Sequence, residues 1–130
     1  MKTGKIFIIL AILLAFWTLA AEAGPKALIL HEKDRGRTIN LQVGQKLILN
    51  LRNPASGGYG VNRPTFNAAI LKLLEQKTLA PKKQMPGNFG QLYYEWQALA
   101  KGQTEISIYI KRPWEKNLPE EYWRLKVLVQ

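Results

Sequence analysis

Residues 104–114 read Thr-Glu-Ile-Ser-Ile-Tyr-Ile-Lys-Arg-Pro-Trp. Ile106, Ile108 and Ile110 fall on one face of an extended chain and Ser107 and Tyr109 on the other, the period of two of a half-buried strand. Pro113 has no N–H for a ladder and fixes φ, so pairing stops there. The next residue past that stop is Trp114. A tryptophan held in a stiff turn at the end of a sheet can anchor an interface at low ordering cost. It can equally fold back and plug the end of the core. This stretch alone leaves both readings open.

The same alternation extends outward in both directions. Leu92, Tyr94, Trp96 and Ala98 alternate with Tyr93, Glu95 and Gln97, and Lys101-Gly102 turns that strand into the next as a hairpin. Trp123, Leu125, Val127 and Val129 form a last strand. Towards the start, Leu47, Leu49 and Leu51 repeat the pattern, as do Ile39, Leu41 and Val43, and Ala27–Leu30 reads as an edge strand. Lys33–Arg37 and Gly44-Gln45 are turns. Residues 65–78 fit both periods; with β structure on either side, the expectation is a single helical turn near 67–70 followed by a strand. Seven to eight short strands, separated by turn signals every eight to twelve residues or so, predict an immunoglobulin-like antiparallel β-sandwich. A small nucleic-acid-binding barrel is the competing architecture.

The first residues belong to a different class. Lys2 and Lys5 precede an apolar run from Ile6 to Ala20, and Ala21-Glu22-Ala23 is a small-x-small site. That is the layout of a signal peptide cleaved after Ala23, leaving an exported domain of residues 24–130, periplasmic or secreted, with no membrane attachment after cleavage. The chain has no cysteine, so this domain must be held by a real core rather than by disulfides. Without Lys2, Lys5 and Glu22 the balance is 17 basic to 8 acidic residues, net +9. The positive charges are scattered, with only Lys82-Lys83 and Lys111-Arg112 adjacent. Scattered charge suits solubility and steering better than a nucleic-acid groove.

Catalysis lacks its usual residues. His31 is the only histidine and is read as a solvated side chain without partners for a metal. Ser56 and Ser107 have no evident base, and Glu120 and Glu121 would point to opposite faces of a strand. No phosphate loop or dinucleotide fingerprint occurs. The expectation is a protein that is not an enzyme and needs no metal or cofactor, working through its surfaces as a monomer.

Three loops carry that surface. Asn53-Pro54-Ala55-Ser56-Gly57-Gly58-Tyr59-Gly60 follows the Leu47–Arg52 strand, residues 85–91 contain Gly87-Asn88-Phe89-Gly90, and residues 112–119 begin with Arg112-Pro113-Trp114. In immunoglobulin-like order these are the B–C, D–E and F–G connections, which share one end of such a sandwich. Each combines proline or glycine with one aromatic expected to be exposed: Tyr59, Phe89 and Trp114. The set resembles the chagasin-type inhibitors of papain-like cysteine proteases, marked by Asn-Pro-Thr-Thr-Gly-Tyr, a glycine-rich D–E loop and Arg-Pro-Trp. Arg112-Pro113-Trp114 matches outright; the B–C loop has Ala55 and Ser56 for the two threonines and one glycine more. Phe89 stands where a glycine is usual, and no tryptophan follows Tyr59 shortly downstream.

The resemblance implies a reversible, tight-binding inhibitor that inserts the three loops into a protease cleft. It places Asn53–Tyr59 nearest the catalytic cysteine, Arg112 and Trp114 on the primed side and Gly87–Gly90 on the other. An exported binding module for a non-protease partner, an envelope polymer or another periplasmic protein, is the alternative reading.

Overall fold

A computed structural model describes residues 25–83 and 85–130; the segment read as a signal peptide lies outside the described residues. Among the described residues, eight strands make two four-stranded sheets. In chain order they are β1 (Leu28–Leu30), β2 (Thr38–Leu41), β3 (Lys46–Arg52), β4 (Gly60–Val61), β5 (Leu71–Leu79), β6 (Gln91–Ala98), β7 (Gly102–Lys111) and β8 (Glu120–Val129). The sheets are ordered β1-β3-β6-β5 and β2-β8-β7-β4. The alternation in the sequence becomes the core: Leu47, Leu49 and Leu51 of β3 face Ile106, Ile108, Leu125 and Val127 of the other sheet, all at most 1 % exposed. Tyr94 and Trp96 are fully buried and stack at 5.5 Å, with Phe66 edge-on to Trp96 at 6.1 Å. Burying each such ring contributes roughly 2–3 kcal/mol. Burial also pushes the Tyr94 phenol up to about 12.

The sandwich expectation holds, with one feature that alternation does not reveal. β1 runs parallel to β3 and β2 parallel to β8, while the other ladders are antiparallel. The chain enters one sheet as β1, passes a short 3-10 turn at Glu32–Asp34, and continues in the other sheet as β2. Val43 is not a strand residue; it lies in the following turn, 46 % exposed, closed by Gln45 N–H donating to the Gln42 carbonyl at 3.0 Å. The ambiguous segment resolves as expected. Ile70 and Leu71 N–H both donate to the Asn67 carbonyl, at 3.0 and 3.1 Å, closing one turn before β5 begins.

Register then fixes where the loops lie. Arg52, the last residue of β3, pairs with Gln91, the first of β6, and Leu79 at the end of β5 pairs with that same Gln91. On the other sheet Ile110 pairs with Glu120 and Lys111 with Gly60. All three loops therefore leave from one end. Near it, the β7–β8 ladder skips Tyr122, a bulge of the kind that re-aims a side chain. The Tyr122 hydroxyl accordingly donates to the Arg52 carbonyl at 2.6 Å, across the two sheets, beneath the first loop.

Candidate functional site

The loop between β3 and β4 is a capped 3-10 turn over Pro54–Gly57. Asn53 opens it: its Oδ1 accepts from Ala55 N–H at 3.1 Å, satisfying a donor the turn leaves free. Pro54 at the first position supplies a preset φ. Gly58 closes it in the left-handed region, φ +83, with its N–H donating to the Ala55 carbonyl at 2.9 Å. Ser56 and Gly57 are exposed at the tip, and Ala55 is half-buried. A sequence expected to be only a loop is thus a short, doubly capped turn.

The loop between β7 and β8 is locked to it through Arg112. The Arg112 Nε–H donates to the Gly57 carbonyl at 2.9 Å, the guanidinium lies over the Tyr59 ring at 4.3 Å, and Nη1 pairs with Glu115 at 3.2 Å. A guanidinium is suited to this triple duty because its planar fork and its flat face can be used at once. Pro113 and Trp114 occupy a tight turn closed by Glu115 N–H donating to the Arg112 carbonyl at 3.1 Å. The Trp114 ring lies against Gly58, yet Trp114 remains 68 % exposed. The core-plug reading is therefore wrong.

The third loop is joined on the opposite flank, by Asn53. Its backbone N–H donates to the Gly90 carbonyl at 3.1 Å and its Nδ2 to the Phe89 carbonyl at 3.3 Å. Inside this loop Asn88 N–H donates to the Met85 carbonyl and Asn88 Oδ1 accepts from Gly90 N–H, at 3.1 and 3.0 Å. Gly87 sits at φ +82 in the open, whereas Gly90, φ +84, is pressed so closely on the Leu79 carbonyl that no side chain fits. Phe89 projects outward, 51 % exposed.

The fourteen residues singled out in the sequence thus form one row, with Asn53–Tyr59 at its centre. Two of them do not stand as expected. Tyr59 is half-buried rather than displayed, covered by Arg112 and held against Gly57. The neighbouring Glu120 carboxylate raises its phenol above the ordinary value, burial adding to this and Arg112 opposing it. Arg112, expected to press on a partner, is committed to its own neighbours. Leu118 was missed: it is 90 % exposed on the 112–119 loop. Its signal was a large apolar residue between Asn117 and Pro119, where no strand can bury it. With Phe89, Trp114 and Met85, it puts four exposed apolar side chains on the three loops at this end. The arrangement has no nucleophile–base pair; what it can do is present a rigid, apolar-faced edge to a concave partner.

The family described as Chagasin family peptidase inhibitor I42 matches residues 40–127. No curated protein matches the sequence. Among solved structures, the cysteine protease inhibitor EhICP2 from Entamoeba histolytica superposes with a TM-score of 0.65 at 24 % identity, covering 82 % of this chain and 100 % of that one. Amebosin gives 0.59 at 24 % identity, and PbICP-C, solved in complex with falcipain-2, gives 0.54 at 18 %; each covers 82 % of this chain and the whole of the other. At those identities the likeness concerns the fold.

Proposed function

The chain belongs to the chagasin family of peptidase inhibitors, and from that premise we propose that it blocks papain-like cysteine proteases reversibly by seating its three-loop end in their active-site cleft. The observation that carries this reading is the interlocked row: Arg112 ties the 112–119 loop to the central turn, Asn53 ties in the 85–91 loop, and Trp114 still faces solvent. A protein that displays a large ring from a braced turn has met most of the ordering cost of binding before the encounter.

The central turn also accounts for survival of the inhibitor. A nucleophile needs a carbonyl presented along an extended, deformable peptide at near-attack geometry. Pro54–Gly57 is instead a 3-10 turn capped by Asn53 and Gly58, with the Ala55 and Gly57 carbonyls already accepting hydrogen bonds. It can fill the cleft beside the catalytic cysteine without offering that geometry. Trp114 and Leu118 then cover one side and Phe89 with Gly87–Gly90 the other.

Titration of active papain with the 24–130 protein tests this. The expected result is stoichiometric loss of activity, with the inhibitor recovered intact by mass spectrometry. Full residual activity at excess inhibitor overturns the proposal. Contact through apolar loops also implies that inhibition weakens only modestly with added salt, whereas a polyanion partner would be lost steeply. The proposal includes export: the sequence of residues 1–23 supports a cleaved signal and a periplasmic or secreted site of action.

A further inference from the structure

We infer that Gly58 is the seat of Trp114, so that the central turn and the tryptophan meet the protease as one surface whose shape this glycine sets. The inference rests on the inhibitory reading above and deepens it, assigning to Gly58, beyond its place in the central turn, a positioning role that acts through Trp114.

Two requirements meet at Gly58. Its φ of +83 closes the 3-10 turn, a left-handed conformation that strains an L side chain. Its missing Cβ also makes room for the indole: a Cβ built there overlaps Trp114 Cη2, with Cζ2 and Cζ3 following at 3.3 and 3.4 Å. Other glycines of positive φ separate the two demands. Gly36, Gly44 and Gly87 are equally left-handed, but a Cβ at any of them meets nothing within 4 Å. Gly57, its neighbour in the chain, would meet the Tyr59 ring at 3.1 Å and Arg112 Nη2 at 3.9 Å, without the overlap found at Gly58. Gly90 and Gly102 also lack room for a Cβ, but against the Leu79 carbonyl and the Ile70 side chain; at Gly58 the space is taken by the ring of another loop, in a turn that carries one glycine more than the family pattern. Of the two walls, the indole is the one free to move, being the end of an exposed side chain. The turn beneath is capped at both ends, and Arg112, two residues before the indole, is bonded to the Gly57 carbonyl on the same turn.

Strain and seating are read by different measurements. A left-handed alanine burdens free and bound inhibitor alike, so it lowers the melting temperature and leaves the inhibition constant alone. A displaced indole changes the inhibition constant. Gly58→Ala, Trp114→Ala and the double variant are titrated against papain. Each single variant is expected to weaken inhibition about 30-fold or more, as for an interface anchor. The double variant is expected to be no weaker than Trp114→Ala within about threefold, because the Cβ then has nothing to displace. Gly58→Asn, whose side chain tolerates the left-handed region, should behave as Gly58→Ala while costing less stability. Wild-type inhibition by Gly58→Ala, or losses that multiply in the double variant, would overturn the inference. Should the unaltered protein fail to inhibit papain, the inhibitory reading falls, and iodide quenching of Trp114 fluorescence still decides the seat. Quenching raised by Gly58→Ala supports it; quenching unchanged refutes it.

Discussion

The central turn is joined to its two neighbours by different chemistry. Towards the 112–119 loop the join is made of side chains: a charge-assisted hydrogen bond from Arg112 to the Gly57 carbonyl, its stacking on Tyr59, and an indole laid on Gly58. Towards the 85–91 loop it is made of one residue, Asn53, through a backbone bond to Gly90 and a longer amide bond to the Phe89 carbonyl. The first join brings flat groups together over an area; the second is a pair of point contacts. One flank of the row is therefore fused over an area, and the other is pinned at two points on Asn53.

The largest expected effect lies on the fused side. Trp114→Ala should cost at least about 2 kcal/mol of inhibition with little change in melting temperature, because the ring is exposed in the free protein. A variant that melts instead would return Trp114 to a structural role and erase the contrast. Arg112→Ala comes next: freeing the Gly57 carbonyl, the Tyr59 ring and Glu115 together should cost about 1.5–2 kcal/mol in the inhibition constant. Arg112→Lys should recover less than half of that, since an ammonium cannot bond and stack at once; full recovery would reduce the join to charge alone. On the pinned side, Asn53→Ala removes a cap and the amide bond to Phe89, and about 1 kcal/mol should be lost in urea denaturation. If Asn53→Ala harms inhibition as much as Trp114→Ala does, the two flanks are equivalent and the comparison fails.

The smallest effect concerns what lies beneath. Burial, with Glu32 beside it, pushes the Tyr122 phenol up to about 12. The folded protein keeps this proton, and that of Tyr94, between pH 10 and 12 while the unfolded chain releases its own. Stability is thus fully present below pH 10 and falls as pH rises towards 12. Tyr122→Phe should remove part of that slope and about 1 kcal/mol at neutral pH, by deleting the donor to the Arg52 carbonyl. Urea midpoints at pH 8 and pH 11 check both.

The sandwich and seven of its strands were legible because alternate apolar residues leave a strand only one face to bury; the two-residue β4, Gly60–Val61, was not. Leu47, Leu49 and Leu51, or Ile106, Ile108 and Ile110, could not have been read otherwise. The parallel pairing of β1 and β2 was not legible, since alternation reports which face is buried and not which way the neighbour runs. The loop motifs located the site, but not the division of labour within it. Arg112 and Tyr59 look like contact residues in sequence. Only the 4.3 Å separation of guanidinium and ring shows that they satisfy each other. Leu118 escaped because it belongs to no motif; its 90 % exposure is a property of the folded loop.

The parallel ladder at the start of the chain has a practical consequence. Leu28 lies beside Leu47 and Lys26 is bonded to Gln45, while Val129 at the finish of β8 lies beside Gly102. Those positions belong to the pole of the sandwich farthest from the loops. A fluorophore, an affinity handle or a second copy on a flexible tether, attached ahead of Leu28 or after Gln130, would hang away from the inhibitory edge. Surface immobilisation through either attachment should leave that edge facing the analyte.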